Sequence, residues 1–169
     1  VLMAIAAELG SDGPACLAAR PVMAEGRGER LSPPPVMPIL DAVLVNPRVP
    51  CSTGKVYRAY DVEPAGAADR PDMPATFNDV SAVLDFLARQ RNDLERPALG
   101  VAPEIVTLLD ALRAAPETRL ARLSGSGATA FALCADDAAA SALARRLNAE
   151  RPEWWVQQCR FGGPWPDPA

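Results

Sequence analysis

The stretch RLARLSGSGATAFALCA, residues 119–135, decides the fold that this sequence predicts. Its first six residues alternate polar and apolar side chains, which is the pattern of a half-buried strand. Residues 130–135 form a short apolar run, which is typical of a buried strand. A loop with two glycines separates the two runs, so the stretch predicts two neighbouring strands joined by a tight connection.

Further elements are predicted on both sides of this strand pair. Apolar side chains recur on one face over residues 104–114, which predicts a helix. Asp136 or Asp137 suits the N-cap of a second helix over 138–149, and residues 154–160 predict a final strand. The order helix, strand, strand, helix, strand is that of most of a ferredoxin-like, split βαβ unit, so the fold class is α+β.

The first third of the chain is less regular. Residues 1–9 predict the end of a core helix, and 16–25 with 29–32 predict the two strands of a hairpin. Residues 41–46 form an apolar run that ends at Asn-Pro, which predicts a buried strand. A further helix is expected to start at the Ser52-Thr53 pair, because a hydroxyl side chain suits an N-cap.

Residues 61–75 are rich in Pro, Ala, Gly and Asp without periodicity, which indicates a linker. We therefore expect a domain boundary there, with residues 1–62 ending one domain and 63–161 forming a second. The tail 162–169, with three prolines, is expected to be loose. Val1 starts inside an apolar helical pattern and is not methionine, so we expect the chain to come from a longer gene product.

Composition argues against several classes of function. The 169 residues have a formal net charge of −4 and a pI near 4.9, whereas a nucleic-acid surface needs a basic stripe. No apolar run is long enough to span a bilayer, so no membrane partner is expected. The four cysteines lack metal-site spacing and histidine is absent. We therefore expect no metal site, and interpret the thiols as buried and free in a cytoplasmic protein.

The loop LSGSGAT, residues 123–129, is the strongest chemical signal. Gly125 and Gly127 permit positive φ, and successive N–H groups in such a loop can bind an anion. The loop also fits G-x-G-x-x-A, but that dinucleotide fingerprint requires a helix directly after the glycines, and a strand is predicted here. Two interpretations stay open, an anion-binding loop and an ordinary glycine hairpin. The sequence contains no P-loop of the form G-x-x-x-x-G-K-[ST].

Two other segments have side chains suited to chemistry. Asp12 lies just past a predicted helix end, where a carboxylate is either a general base or simply a turn residue. Thr53 and Tyr57 are four residues apart on a predicted helix, so they share a face. That pair suits a bound polar group and a stacked base, although an N-cap and a core tyrosine explain the pattern as well.

Five segments, taken in order, resemble the GHMP kinase superfamily, and within it the family of 4-diphosphocytidyl-2-C-methyl-D-erythritol kinases. They are LGSDGP at 9–14, the segments 20–29 and 43–53, NDLE at 92–95 and LSGSGAT at 123–129. The resemblance extends over residues 1–161. The chain departs from the family pattern at Gly13, where valine is usual, and at Arg48, where glycine is usual.

This resemblance implies a fold and a mechanism. The end of the GHMP N-terminal (S5-like) domain would be followed by a ferredoxin-like C-terminal domain. The enzyme would use ATP, with Mg, to phosphorylate the 2-hydroxyl of its cytidine diphosphate ester substrate in non-mevalonate isoprenoid synthesis. The residues implied in the active site are Asp12 as catalytic base, Thr53 and Tyr57 for substrate binding, and the glycine loop of Gly125, Ser126, Gly127 and Ala128.

The resemblance also implies that parts of the enzyme lie upstream of Val1. These are a lysine that partners the catalytic Asp, a second aromatic residue that stacks on the base, and the glycine-rich ATP loop. Residues 1–169 alone are therefore expected to be inactive. One alternative is another GHMP kinase, for homoserine or mevalonate-type substrates. The other is a non-catalytic ferredoxin-like binding module, which would complete its sheet without the first 60 residues.

Overall fold

The computed structural model describes residues 2–66 and 72–162. The helices in these residues are α1 (Leu2–Leu9), α2 (Gly13–Ala18), α3 (Thr53–Val62), α4 (Val80–Ala88), α5 (Glu95–Val101), α6 (Glu104–Ala114) and α7 (Asp137–Glu150). The strands are β1 (Met23–Glu25), β2 (Arg30–Ser32), β3 (Leu40–Asn46), β4 (Thr118–Leu123), β5 (Ala130–Cys134) and β6 (Trp155–Phe161). The chain is thus a mixture of helices and strands, as the sequence predicts.

A four-stranded antiparallel sheet organises the second part of the chain. Its strand order is β4-β5-β3-β6, so β3 is an inner strand that pairs with β5 on one side and β6 on the other. Val45 lies opposite Ala130 of β5 and opposite Val156 of β6. In chain order the strands and intervening helices read β, α, β, β, α, β, which is the ferredoxin-like, split βαβ arrangement. The predicted α+β fold is confirmed.

The position of β3 leads us to propose a different domain boundary. A division between residues 62 and 63 separates β3 from β5 and β6, the two strands with which it pairs. Inner strands of a sheet are held by hydrogen bonds on both sides, so they belong to the domain that contains their neighbours. We propose instead that the boundary lies between β2 and β3.

Helices cover both faces of the sheet, which explains why β5 and the middle of β3, from Ala42 to Val45, are continuously apolar. One face packs against α6 and α7, and its cluster includes Val43, Val45, Ile105, Leu108, Leu112, Leu143 and Leu147. The other packs against α4, and its cluster is Leu40, Ala42, Phe77, Val83, Phe86 and Leu133. Successive side chains of β3 alternate between these clusters. Each fully buried leucine stabilises the fold by about 1.5–3 kcal/mol.

The segment predicted as a strand at 16–25 is divided between the end of a helix, a turn and a short strand. Helix α2 occupies Gly13–Ala18, and only Met23–Glu25 is strand. Pro14 in the first turn has its φ preset for a helix, and this local preference overrides the apolar pattern. The chain leaves α2 through Ala19, whose φ of 48° is left-handed. The hairpin itself is confirmed, since β1 and β2 pair across the predicted glycine turn.

Helix α1 presents apolar side chains to solvent. None of its residues is buried, and Leu2, Ile5 and Leu9 are 68%, 48% and 85% exposed. Among the described residues, no helix is both long and apolar enough to cross a membrane. The central part of the expected linker, 67–71, and the expected loose tail from residue 163 onward lie outside the described residues.

Candidate active site

The glycine loop between β4 and β5 is a tight turn closed by two backbone hydrogen bonds. The N–H of Ser124 donates to the carbonyl of Thr129 at 2.9 Å, and the N–H of Gly127 donates to that of Ser124 at 3.0 Å. Gly125 and Gly127 have φ values of +56° and +82°, a region that residues with a Cβ rarely enter. The loop runs into strand β5 rather than into a helix, so it lacks the helix that the dinucleotide fingerprint requires.

The outer side of this loop is open. A Cβ added at Gly125 would meet no atom within 4 Å, whereas one added at Gly127 would press against the side chains of Leu123 and Ile105. Within the described residues, no backbone hydrogen bond uses the N–H of Gly125 or Ser126. Unpaired N–H groups on an open backbone turn are suited to an anionic group such as a phosphate. The loop is therefore compatible with an anion site.

The start of α3 contacts this loop directly. The hydroxyl groups of Thr53 and Ser126 are hydrogen bonded at 2.9 Å. The thiol of Cys51 donates to the carbonyl oxygen of Ser126 at 3.3 Å. These two contacts place Thr53, a predicted substrate-binding residue, against the glycine loop. No sequence pattern indicates the Cys51 contact, because it joins residues 75 positions apart.

The end of β3 contacts the other end of the loop. The Nδ2 of Asn46 donates to Oγ1 of Thr129 at 2.9 Å, and its Oδ1 accepts from the N–H of Arg48 at 2.7 Å. Arg48 has a φ of +58°. That left-handed conformation is the one glycine adopts without strain, which explains physically why glycine suits this position. The Asn-Pro turn after a buried strand was the available sequence signal for Asn46.

Tyr57 lies one helical turn after Thr53 on α3 and is 51% exposed. Its neighbour Val56 is fully buried and anchors the helix in the core. The ring of Tyr57 is thus not part of either core cluster, which removes the alternative of a core tyrosine. An exposed ring on the face next to Thr53 is accessible to a ligand, and its role in stacking a base stays a prediction.

Asp12 is exposed and lies at the N-terminus of α2. Its backbone carbonyl accepts from the N–H of Cys16 at 2.9 Å, but its carboxylate makes no capping hydrogen bond. Among the described residues, no hydrogen bond or ion pair joins Asp12 to Thr53 or to the glycine loop. The structure therefore brings together Thr53 and the loop but not Asp12, whose role as a base stays a prediction.

The cysteines are free thiols, and their environments differ. Cys134 is buried, Cys51 and Cys159 are half-buried and Cys16 is exposed, which corrects the expectation that all four are buried. Burial, reinforced by the nearby charges of Glu117, Asp41 and Asp136, raises the pKa of Cys134 to about 11. Burial also raises the pKa of Cys51, so its thiol beside the loop stays protonated at neutral pH. In the described part of the chain, no cluster of His, Cys, Asp and Glu could hold a metal ion.

Comparison with known proteins identifies the domain. Residues 75–153 match the family model described as GHMP kinases C terminal. The chain carries a GHMP kinase C-terminal domain. The match starts before α4 and ends just before β6, and it includes the glycine loop. The GHMP domain as the structure has it also uses β3, which precedes the matched residues and is an inner strand of the sheet.

The likeness to particular GHMP kinases extends beyond the matched residues. A 4-diphosphocytidyl-2-C-methyl-D-erythritol kinase of Caulobacter sp. (strain K31) is 56% identical over 166 residues, which are 96% of this chain and 56% of that protein. A crystal structure of 4-(cytidine 5'-diphospho)-2C-methyl-D-erythritol kinase matches with a TM-score of 0.67 and 33% identity, over 96% of this chain and 58% of that one. The chain thus spans a little over half the length of these relatives.

A homoserine kinase from Cytophaga hutchinsonii is more distant. Its crystal structure matches 89% of this chain and 51% of that one with a TM-score of 0.58, but only 19% of the residues are identical. At that identity the likeness concerns the fold alone. The GHMP C-terminal fold is therefore shared among kinases whose names refer to different substrates, so the substrate has to be argued from the site.

Proposed function

We propose that this chain is the substrate-binding part of a kinase that phosphorylates the 2-hydroxyl of 4-diphosphocytidyl-2-C-methyl-D-erythritol with ATP. One observation carries the proposal. The 56% identity extends over 96% of the chain, and so includes the segments around Asp12, Thr53 and Tyr57, all of which precede the general GHMP match at 75–153. The similarity to this kinase therefore extends beyond the domain that GHMP kinases share. It includes the segments expected to bind one particular substrate.

The residues of this chain would divide the work between binding and proton transfer. Thr53 would hydrogen bond the substrate, and the exposed ring of Tyr57 would stack on the cytosine. Asp12 would accept the proton of the attacking hydroxyl. Phosphoryl transfer depends mainly on positioning and on neutralising charge, so these roles suffice for this part of the enzyme.

ATP would supply the phosphoryl group, and Mg would accompany its phosphates. The residues that fit a phosphate are those of the glycine loop, because Gly125 is open and the N–H groups of Gly125 and Ser126 are not used in backbone hydrogen bonds. These N–H groups would orient the phosphate next to the substrate that Thr53 holds, since Thr53 is bonded to Ser126.

The exposed helix α1 supports the idea that the active kinase contains more than these residues. Its apolar side chains are not buried against the rest of the described chain, and exposed apolar patches mark surfaces that contact something else. We propose that α1 packs against the remainder of a kinase as long as the Caulobacter relative, of which this chain covers 56%. A cytoplasmic location is part of the same proposal.

The two alternatives differ in what the structure allows. A binding module independent of the first 60 residues would have a complete sheet without them, but β3 lies among those residues and is an inner strand. That expectation is wrong, which disfavours the module. The other alternative, another GHMP kinase, differs from the proposed one in its substrate. Such a kinase would not need Thr53 and Tyr57 to face one pocket.

A chimera tests the proposal. Residues 1–169 replace the matching 56% of the Caulobacter sp. kinase, and ATP consumption is measured with the cytidine ester, homoserine and mevalonate. We expect turnover with the cytidine ester alone, and no turnover from residues 1–169 without the added part. Turnover of homoserine or mevalonate in preference to the cytidine ester would overturn the proposed substrate.

A further inference from the structure

The NDLE segment, residues 92–95, meets the glycine loop through the side chain of Asn92. Its Nδ2 donates to the carbonyl oxygen of Leu123 at 3.0 Å and to that of Gly125 at 2.8 Å. Its Oδ1 accepts from the N–H of Leu94 at 3.0 Å. One half-buried amide thus bridges the last residue of β4 and the first glycine of the loop.

Glu95 of the same segment also contacts the backbone of Leu123, at its N–H group rather than its carbonyl. The N–H of Leu123 donates to Oε2 of Glu95 at 3.4 Å, while Oε1 of Glu95 accepts from Arg113 at 2.6 Å. Strand β4 is an edge of the sheet, and polar groups on an edge have no neighbouring strand to pair with. At Leu123 the side chains of Asn92 and Glu95 take the place of that neighbour.

The connection that contains Asn92 is itself fixed to β4. The Nη2 of Arg122 donates to the carbonyl oxygens of Leu87 and Gln90, both at 2.7 Å. Leu87 lies in the last turn of α4, and Gln90 lies two residues before Asn92. Arg122 therefore fixes the segment before Asn92 to β4. The amide of Asn92 in turn fixes the start of the glycine loop relative to that segment.

We propose that Asn92 is a positioning residue for the glycine loop and so for the phosphate that the loop would orient, an inference that rests on the proposed function. The contacts require two N–H donors and one acceptor on a single short side chain, which only asparagine supplies. Aspartate would keep the acceptor for Leu94 but turn a carboxylate oxygen towards two carbonyls. Asn92→Ala would leave both carbonyls without this partner.

Hydrogen exchange in residues 1–169 tests the positioning without any activity. We expect the hydrogen-bonded amides of Ser124 and Gly127 to exchange about tenfold faster or more in Asn92→Ala and Asn92→Asp, because the loop opens more often. Asn148→Ala is the matched control, since the Nδ2 of Asn148 also donates to a backbone carbonyl, that of Ala144 at 2.9 Å within α7. Unchanged exchange at both loop amides in both Asn92 variants would overturn the proposal.

Kinetics of the chimera test the functional part. We expect kcat to fall by about 100-fold in Asn92→Ala and Asn92→Asp, because small displacements of a positioning group are costly, with KM for the cytidine ester changed less than about threefold. Asn92→Asp keeps the acceptor for Leu94 but sets a carboxylate against two carbonyls, so its melting temperature should fall modestly, as in Asn92→Ala. A parental kcat in Asn92→Asp would reduce Asn92 to a helix-start residue. No turnover in the unsubstituted chimera would contradict the proposed function, while the exchange result would still decide the role of Asn92.

Discussion

The hydroxyl groups of Thr53 and Ser126 form a hydrogen bond of 2.9 Å, although 73 positions separate them in the sequence. The bond joins the first residue of α3 to the glycine loop. Cys51 adds a second contact to the backbone of the same serine. The loop is therefore directly bonded to the start of the helix that presents Thr53 and Tyr57.

Removing the Thr53 hydroxyl tests this connection. Thr53→Val keeps the shape of the side chain but breaks the bond to Ser126, whose net contribution is about 0.5–1.5 kcal/mol. We expect KM for the cytidine ester in the chimera to rise about three- to tenfold. Thr53→Ser, which keeps the hydroxyl, is the control and should stay near the parent. Equal KM values for the valine and serine variants would contradict a role for the hydroxyl.

The Tyr57 ring is expected to act through its face rather than its hydroxyl. Tyr57→Phe should be nearly silent because the π-face survives. Tyr57→Ala should raise KM for the cytidine ester by about tenfold or more and leave KM for ATP unchanged, since stacking on a base is worth about 1–3 kcal/mol. The melting temperature of residues 1–169 should barely change, because the ring is 51% exposed.

An opposite outcome for Tyr57 is equally well defined. If Tyr57→Ala weakened the two substrates alike and also lowered the melting temperature strongly, the ring would be supporting the structure rather than the ligand. That result would remove the pocket assignment, and with it the reason to prefer the cytidine ester over other GHMP kinase substrates.

Asp12 is tested by removing its charge at constant size. In the chimera, Asp12→Asn should lower kcat by about 100-fold or more, the usual scale for loss of a general base, with KM for the substrate little changed. Its carboxylate makes no capping bond, so the melting temperature should be unaffected. A fall in kcat of less than about threefold would make Asp12 a turn residue.

Cys134 predicts a loss of stability at alkaline pH. Its folded pKa of about 11 exceeds the ordinary 9.0 because the buried site disfavours the thiolate. The resulting stabilisation is fully present below about pH 9 and is lost as the pH rises through 11, amounting to about 2 kcal/mol by pH 11. Urea unfolding at pH 8 and pH 11 measures this loss.

Two cysteine variants separate this effect from other alkaline titrations. Cys134→Ala should lose about 2 kcal/mol less than the parent between the two pH values. Cys16→Ala removes an exposed thiol and should behave like the parent. If Cys134→Ala lost as much stability as the parent, the thiol would not be responsible for the pH dependence.

Local patterns predicted the elements that local physics determines. The apolar runs of β3 and β5 were recognisable because both faces of these strands are covered, and the Asp136 N-cap binds a backbone N–H group only three residues away. Helix α2 was missed because Pro14 favours a helix within an apolar segment that otherwise suits a strand. The pairing of β3, from which we propose an earlier domain boundary, was not predictable because it involves residues far away in the sequence.

The site was predictable to a similar extent. Helical spacing put Thr53 and Tyr57 on one face of α3, and the glycines marked the loop. The contacts that join these parts, from Thr53 to Ser126 and from Asn92 to Gly125, were not predictable, because no local spacing relates residues that meet only in the folded chain. The NDLE segment carried a family resemblance but no chemical signal for what its amide would contact.

The inner position of β3 has a consequence for how the protein is made. Leu40 pairs with Phe161 and Val45 with Ala130, so this strand leaves the ribosome long before either of its neighbours exists. Until then its apolar side chains have no sheet to join, and contacts so distant in sequence form slowly. During synthesis β3 is therefore exposed to aggregation until its partner strands emerge. Truncation before residue 155 should leave the strand permanently half-paired.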